Sequence, residues 1–256
     1  MIEIVHRYTR AVIYRSEADA IGAAAKEALA SRAVLTDADL TRADLTRAVL
    51  TGAVLTGADL TDADLTDADL TGAVLTDADL TRAVLTGADL TDADLRDAVL
   101  TRADLTRADL TGADLRGADL TRADLTGAVL TCADLRRADL TDAVLRGADL
   151  RDAVLTRADL TRADLTGADL TGAVLSNSSC GTALGDLLRI TGSRHAIIAV
   201  DEANISIGCM RHDLAWWREH YAAAGRAEKY SDAQVEEYRL HIEYVAQWFS
   251  ARKAAQ

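Results

Sequence analysis

The feature of this sequence that most limits its fold is an unbroken five-residue repeat. Residues 33–177 form 29 consecutive units with Ala at the first position and Leu at the third. The second position is Asp or Val, the fourth is Thr or Arg in every unit but the last, and the fifth varies. A repeat has to be interpreted before any single residue, because stacked units bury a core that no unit forms alone.

A period of five excludes one long helix and one long strand. Helices repeat a buried face about every 3.6 residues and strands about every 2 residues. In a continuous strand the leucines would alternate between the two faces, since five is odd. A bend in every unit directs each Leu to the same side and winds the chain into a coil, whose turns pair about 4.8 Å apart. We therefore predict Leu and Ala in the interior and Asp and Thr at the bends, where both bond nearby backbone.

The run ADLTRADLTRAVLTGAVLTGADL at residues 38–60 resembles the pentapeptide-repeat family. That family's pattern is a small residue, then Asp or Asn, then Leu or Phe, then Ser, Thr or Arg, then any residue. The resemblance covers 145 of the 256 residues. It implies a mainly β fold, a right-handed quadrilateral parallel β-helix with four units per coil and about seven coils. The uniformity of the units indicates either a recent expansion of the gene or a sequence idealised by design.

Ordinary secondary structure is predicted before the repeat. Residues 1–32 indicate an N-terminal hairpin-helix cap, with strands at residues 2–7 and 11–14. Ser16 followed by Asp19 resembles a helix N-cap. The apolar face of the helix consists of Ile21, Ala25, Ala28 and Leu29.

Residues 178–256 predict a small C-terminal α+β unit that could cap the last coil, form a dimer or bind a ligand. Residues 176–182 are interpreted as a linker. The predicted strands are residues 195–200 and 205–209, and the predicted helices are residues 213–224 and a longer one that begins at Ser231 or Asp232 and ends near Lys253.

The acidic charge of the chain is concentrated in the repeat. The formal net charge is -13, and the repeat has 27 Asp and 14 Arg, whereas the flanking segments are nearly neutral. Such a surface repels nucleic acid and anionic membranes and suits a partner with a basic groove. Three widely spaced cysteines and the absence of a long apolar segment predict a soluble, cytoplasmic protein.

If four units make a coil, each face recurs every 20 residues and the faces can be compared. One face has Val at the second position in five of its eight units, whereas the other 21 units together have five. Exposed apolar residues predict a contact surface, although Val also simply suits an extended backbone. The predicted interaction surface adds C-terminal aromatic residues to this stripe and consists of Val34, Val54, Val74, Val154, Val174, Trp216, Trp217, Trp248 and Phe249.

Arginines recur at equivalent positions of successive coils on two of the faces. Arg96, Arg116 and Arg136 lie in the middle of the valine face, where Asp replaces Val. Another face has Arg at the fifth position beside its Asp column, and alternating charges there would relieve repulsion between carboxylates. These residues are Arg42, Arg82, Arg102, Arg122 and Arg162.

No motif predicts catalysis, a cofactor site or a metal site. Cys209 and His212 have the spacing of a ligand pair, but a structural zinc site usually has four ligands. Cys180 and His195 would join them only if the fold brought all four together. The sequence has no phosphate-binding loop, dinucleotide-binding motif or metalloprotease motif. We therefore predict that the protein is not an enzyme and has no cofactor.

These patterns favour a non-catalytic scaffold or protein-interaction module that presents an acidic β-helical surface. The family resemblance adds an alternative, a DNA-mimicking binder or inhibitor of a type II topoisomerase such as DNA gyrase. A second alternative is an unrecognised enzymatic or metal-binding activity of the C-terminal unit. The predicted partners are a basic protein surface and a second copy of the chain, joined through the C-terminal helices. Direct binding of nucleic acid or membrane is not predicted.

Overall fold

Every unit of the repeat bends at its fourth and fifth residues. In each bend the Ala N–H donates to the Leu carbonyl three residues earlier, at 2.9–3.1 Å. The fifth residue has φ between 53 and 72°. A positive φ at the third residue is typical of a type II turn. Gly adopts this conformation readily, and Asp tolerates it. The computed structural model describes residues 1–30, 33–170, 173–174, 188–191, 196–201, 204–207 and 210–255.

Parallel ladders join units that are 20 residues apart. Bridges pair each second-position residue with its counterpart one coil later, from Asp39 with Asp59 to Val154 with Val174. Four units therefore make one coil, and the repeat is a four-sided parallel β-solenoid. The right-handed sense of the coil, which the family resemblance implies, stays a prediction.

The hydrogen bonds account for all five N–H groups of an Asp-containing unit. The second, third and fifth residues donate to carbonyls of neighbouring coils at 2.6–3.1 Å, and the first residue closes the turn. The N–H of the fourth residue donates to Oδ1 of the Asp two residues earlier, as Thr111 does to Asp109 at 2.9 Å. Asp therefore has the predicted role of an acceptor at the bend, and a Val unit lacks this acceptor.

Leucine and alanine fill the interior of the solenoid. The third-position leucines from Leu35 to Leu170 are at most 2% exposed, and the first-position alanines from Ala38 to Ala168 are at most 9% exposed. The prediction that one bend per unit turns the leucines to a common axis is confirmed for these residues. Each buried Leu side chain contributes about 1.5–3 kcal/mol of gross burial free energy.

An antiparallel hairpin and a helix cover the start of the solenoid. Strand β1 (Ile2–Val5) pairs with β2 (Val12–Ser16), and helix α1 spans Ile21–Ala30. The Arg7 N–H donates to the Asp37 carbonyl at 2.6 Å, so the hairpin continues into the first coil. A Cβ on Gly22 would lie 2.0 Å from the Asp44 carbonyl oxygen, which shows how closely α1 approaches that coil.

The predicted N-cap at Ser16 is wrong. Ser16 is the last residue of β2, five residues before α1 begins. Its Oγ accepts the Ala18 N–H at 2.9 Å and donates to the Glu27 carboxylate. The sequence pattern suggested a cap because a hydroxyl that bonds nearby backbone also occurs in turns.

The C-terminal elements form a four-stranded antiparallel sheet and two helices. The sheet order is β3-β4-β5-β6. Its strands are β3 (Leu188–Thr191), β4 (Ala196–Asp201), β5 (Asn204–Ile207) and β6 (Met210–His212), and the helices are α2 (Leu214–Ala227) and α3 (Asp232–Ala255). None of the helices in the described ranges combines the length and hydropathy of a membrane-crossing segment.

The sequence predicted both helices and missed two strands. Asp213 caps α2 by accepting the Trp216 N–H at 2.7 Å, and Ser231 and Gln234 bond reciprocally at the start of α3. The expected strand at residues 205–209 corresponds to β5, and β6, which pairs with β5 at Ile207 and Met210, was not predicted. Strand β3 was not predicted. The predicted linker at residues 176–182 lies outside the described residues.

Candidate interaction surfaces

The solenoid has four faces, and each face consists of units that recur every 20 residues. The first face begins with the unit at Ala33 and the second with the unit at Ala38. The third face begins at Ala43 and the fourth at Ala48. The first face is the one with the Val column. The second face has the predicted Arg column at its fifth position.

Charge is distributed unevenly among these faces. The first has six Asp and five Arg, the second eight and five, the third six and three, and the fourth seven and one. The fourth face therefore has the largest excess of acid, and the first face is close to neutral. The net charge of the whole chain does not show this difference between the faces.

The fourth face is a column of hydrogen-bonded carboxylates. Its second-position residues include Asp69, Asp89 and Asp109, which follow one another along a parallel ladder. The Thr71 N–H, the Thr71 hydroxyl and the Thr51 hydroxyl hold the pKa of Asp69 below its usual range. These donors favour the ionised form of the Asp69 carboxylate.

Arginines on the second face pair with carboxylates of their own column. Arg82 donates from Nε and Nη2 to Asp62 at 2.6 and 2.7 Å. Arg162 binds Asp142 in the same bidentate way at 2.5 Å. These partners occupy the fifth position one coil earlier, whereas the sequence analysis placed the relief of repulsion at the second-position Asp column.

The first face has valines towards its ends and clamped arginines between them. Val34 is 58% exposed, Val54 37% and Val174 46%, whereas Val74 and Val154 are half-buried. In the centre, Arg96 donates from Nε and Nη2 to Asp94 at 2.7 and 2.6 Å. These bonds raise the pKa of Arg96 further above its usual range. The predicted apolar stripe is therefore divided into two exposed patches.

A model of the pentapeptide repeats matches the chain in eight copies. The matches cover residues 16–52, 31–67, 63–102, 103–142 and 138–177. The chain belongs to the pentapeptide-repeat family. A comparison with the curated proteins found no match.

Three solved structures are similar to this chain. HetL from the cyanobacterium Nostoc, involved in heterocyst differentiation regulation, is 37% identical, with coverage of 57% of this chain and 80% of HetL and a TM-score of 0.30. A protein of the Arabidopsis thaliana thylakoid lumen is 32% identical over 40% of this chain and 70% of its own, with a TM-score of 0.38. QnrB1, a plasmid-mediated fluoroquinolone resistance protein, is 21% identical over 56% and 77%, with a TM-score of 0.36. The family assignment rests on the repeat itself, since all three TM-scores are below 0.5.

Two of the predicted aromatic residues have different environments outside the repeat. Trp217 is 2% exposed, and its Nε1 donates to the Ile205 carbonyl at 2.7 Å, so it belongs to a core and not to an exposed surface. Trp216 is half-buried and stacked between His212 and His220, with centroid distances of 3.4 and 4.5 Å. The predictions for the side chains of Trp248 and Phe249 lie outside what the structure describes.

Several sequence predictions concern the chemistry of the C-terminal unit. His212 lies in the aromatic stack, whereas Cys209, Cys180 and His195 lie outside the described residues. Among the residues that the structure does describe, no group of three or more His, Cys, Asp or Glu could hold a metal ion. His220, which was not predicted from the sequence, is four residues after Trp216 on the same helix face.

Exposed apolar residues that were not predicted as part of the interaction surface include Val49 and Leu240. Val49 is 76% exposed at the start of the fourth face, and Leu240 is 55% exposed on α3. Val49 was not predicted because it lies outside the Val column of the first face. Tyr238, Ile242 and Val245 of α3 are buried in the core of the C-terminal unit.

Proposed function

We propose that the protein is a non-catalytic interaction scaffold whose acidic fourth face binds a basic surface of a partner protein. The observation that carries this proposal is the charge of that face, with seven Asp and one Arg. The solenoid extends over residues 33–177, and we assign residues 1–32 and 178–256 to an N-terminal cap and a C-terminal accessory unit. The second and third faces carry more arginine and are weaker candidates.

The rigidity of the carboxylates supports binding. The Oδ1 atoms of Asp89, Asp109 and Asp149 accept main-chain N–H groups at 2.9–3.1 Å, which limits side-chain motion. A partner therefore meets a preorganised array and loses less conformational entropy on binding. Exposed charges contribute more to the rate and specificity of association than to affinity, so binding is expected to weaken with salt.

A defined basic peptide tests this proposal without knowledge of the natural partner. We expect a fluorescent lysine-rich peptide to bind the full chain at low salt and to bind the variant D89N/D109N more weakly. The matched control is D119N/D139N on the second face, which removes the same charge. Equal weakening by both variants would show that total charge, and not the fourth face, determines binding.

A second candidate function is DNA mimicry towards a type II topoisomerase such as DNA gyrase. The acidic fourth face favours it, because aligned carboxylates present negative charge at the regular spacing of the coils. Arginines on the other faces oppose it. A gyrase supercoiling assay tests it: inhibition that is lost in D89N/D109N and retained in D119N/D139N supports mimicry, and no inhibition at micromolar protein contradicts it.

Self-association through the C-terminal helices is the other partner that we propose. Leu240 supports it, because it is an exposed apolar residue among the described side chains of α3. Light scattering on the full chain and on L240E tests it. A dimer that L240E converts to a monomer supports the contact, and a dimer that L240E leaves intact contradicts it.

A further inference from the structure

A groove of about 610 Å³ lies along the first face, on a chain that is otherwise acidic. Five arginines line it, and they come from four successive coils. They are Arg96, Arg116, Arg136, Arg137 and Arg157. This volume is in the range of sites that bind small molecules, roughly 300–1,000 Å³.

Three of these arginines are hydrogen-bonded through only one edge of the guanidinium group, the edge formed by Nε and Nη2. Arg116 donates from Nε and Nη2 to Asp114 at 2.7 and 2.6 Å, and Arg96 and Arg136 bind Asp94 and Asp134 in the same way. Their Nη1 atoms make no hydrogen bond to any residue that the structure describes. Guanidinium has five N–H donors, so each clamped arginine keeps free donors for a ligand. The clamp also fixes the side chain before a ligand arrives.

The other two arginines have no carboxylate within salt-bridge distance among the described residues. Arg137 and Arg157 are exposed and follow each other in the fifth-position column. The column continues backwards to Gly117 and Asp97. A Cβ at Gly117 would lie 2.3 Å from Asp97 Oδ1, so the Asp97 carboxylate lies directly over this glycine, at the acidic end of the groove.

The local charge is opposite to that of the chain. The groove has five arginines and four carboxylates that bind these arginines or line the groove, so arginine is in excess. The four carboxylates belong to Asp94, Asp97, Asp114 and Asp134. The net charge of the whole chain, in contrast, is -13. The long-range field repels an extended polyanion such as nucleic acid. A compact anion can contact the arginines without approaching the acidic faces.

We propose that this arginine groove binds a small oligophosphate, such as inorganic triphosphate or the phosphate chain of a nucleotide. Phosphate groups fit better than carboxylates because each offers more charge and more acceptor oxygens, which several guanidinium groups can share. Arg137 and Arg157 contact the anion most strongly, since no nearby acid neutralises them. The clamped arginines supply further donors along the groove.

Binding of inorganic triphosphate to the full chain, measured by calorimetry at low salt, tests the proposal. The groove variant is R137D/R157D, and the control is R42D/R47D, which changes the same charge at fifth positions of other faces with the same positive φ. Asp77 and Asp97 already occupy successive fifth positions, so stacked Asp residues are compatible with the fold. We expect the groove variant to lose about tenfold or more in affinity, and the control less than about twofold.

Three outcomes would overturn the proposal. The first is no triphosphate binding at millimolar ligand, and the second is equal weakening in both variants, which would indicate only general electrostatics. The third is tighter binding of citrate, a tricarboxylate, than of triphosphate. Binding of a nucleoside triphosphate at the same strength as triphosphate identifies the phosphates as the recognised group, and it supports the proposal. Far-UV circular dichroism of each variant checks that the solenoid is intact.

Discussion

Replacement of Asp109 separates two opposing effects of the Asp column on stability. Its Oδ1 accepts the N–H of Thr111 at 2.9 Å and the Thr111 hydroxyl at 2.6 Å. In the ladder it lies between Asp89 and Val129, so one neighbour is a like charge. D109A removes both the acceptor and the charge, whereas D109N removes the charge and keeps an acceptor oxygen.

The two effects differ in size. Hydrogen bonds to a charged group contribute about 1.5–3 kcal/mol each, and we take about 2 kcal/mol for both here because the site is half-exposed. Repulsion between carboxylates on strands about 4.8 Å apart is about 0.9 kcal/mol in water and less with salt. We therefore expect D109A to destabilise the solenoid by about 1 kcal/mol and D109N to leave stability unchanged or to raise it slightly.

Urea unfolding at pH 7, followed by circular dichroism, measures the difference. Midpoints are compared, because long repeats can lose two-state cooperativity. In 1 M salt the loss in D109A should increase, since the relief of repulsion no longer offsets the lost bonds. If D109A is as stable as D109N at both salt concentrations, the bond to Thr111 contributes nothing and the explanation for Asp at this position is wrong.

Three further predictions concern the core and pH. Thr71 and Thr51 lower the pKa of Asp69 in the folded state. The free energy of unfolding should therefore be constant above pH ~4 and fall as the pH drops through that lowered pKa. A free energy of unfolding that rises on acidification would contradict this. L105A should cost about 2–5 kcal/mol in urea unfolding, since Leu105 is fully buried, and a loss below about 1 kcal/mol would refute a close-packed interior. W217F should cost about 1–3 kcal/mol in thermal unfolding of the C-terminal unit, because the Ile205 carbonyl loses its donor; an unchanged unfolding temperature would contradict the hydrogen bond.

Sequence patterns predicted helices and bends better than strands in the C-terminal unit. The starts of both helices were predicted to within a residue or two, at Asp213 and at Ser231 or Asp232, because a helix start depends on residues within one turn. Strands β3 and β6 were missed because an extended segment is stabilised by its partners in the sheet, which lie elsewhere in the chain. Trp217 was assigned to a surface for the same reason, since burial depends on what packs against the side chain.

The five-residue period by itself indicated one bend in each unit, leucines on a common side and Asp as an acceptor at the bend, because these follow from the backbone geometry of a single unit. Only the tertiary structure decided which charges meet. Stacking at 20-residue intervals pairs Arg82 with Asp62 and brings Arg137 and Arg157 to a groove where no described carboxylate lies within salt-bridge distance of them. The sign of a surface depends on neighbours in adjacent coils, and a local pattern contains no information about them.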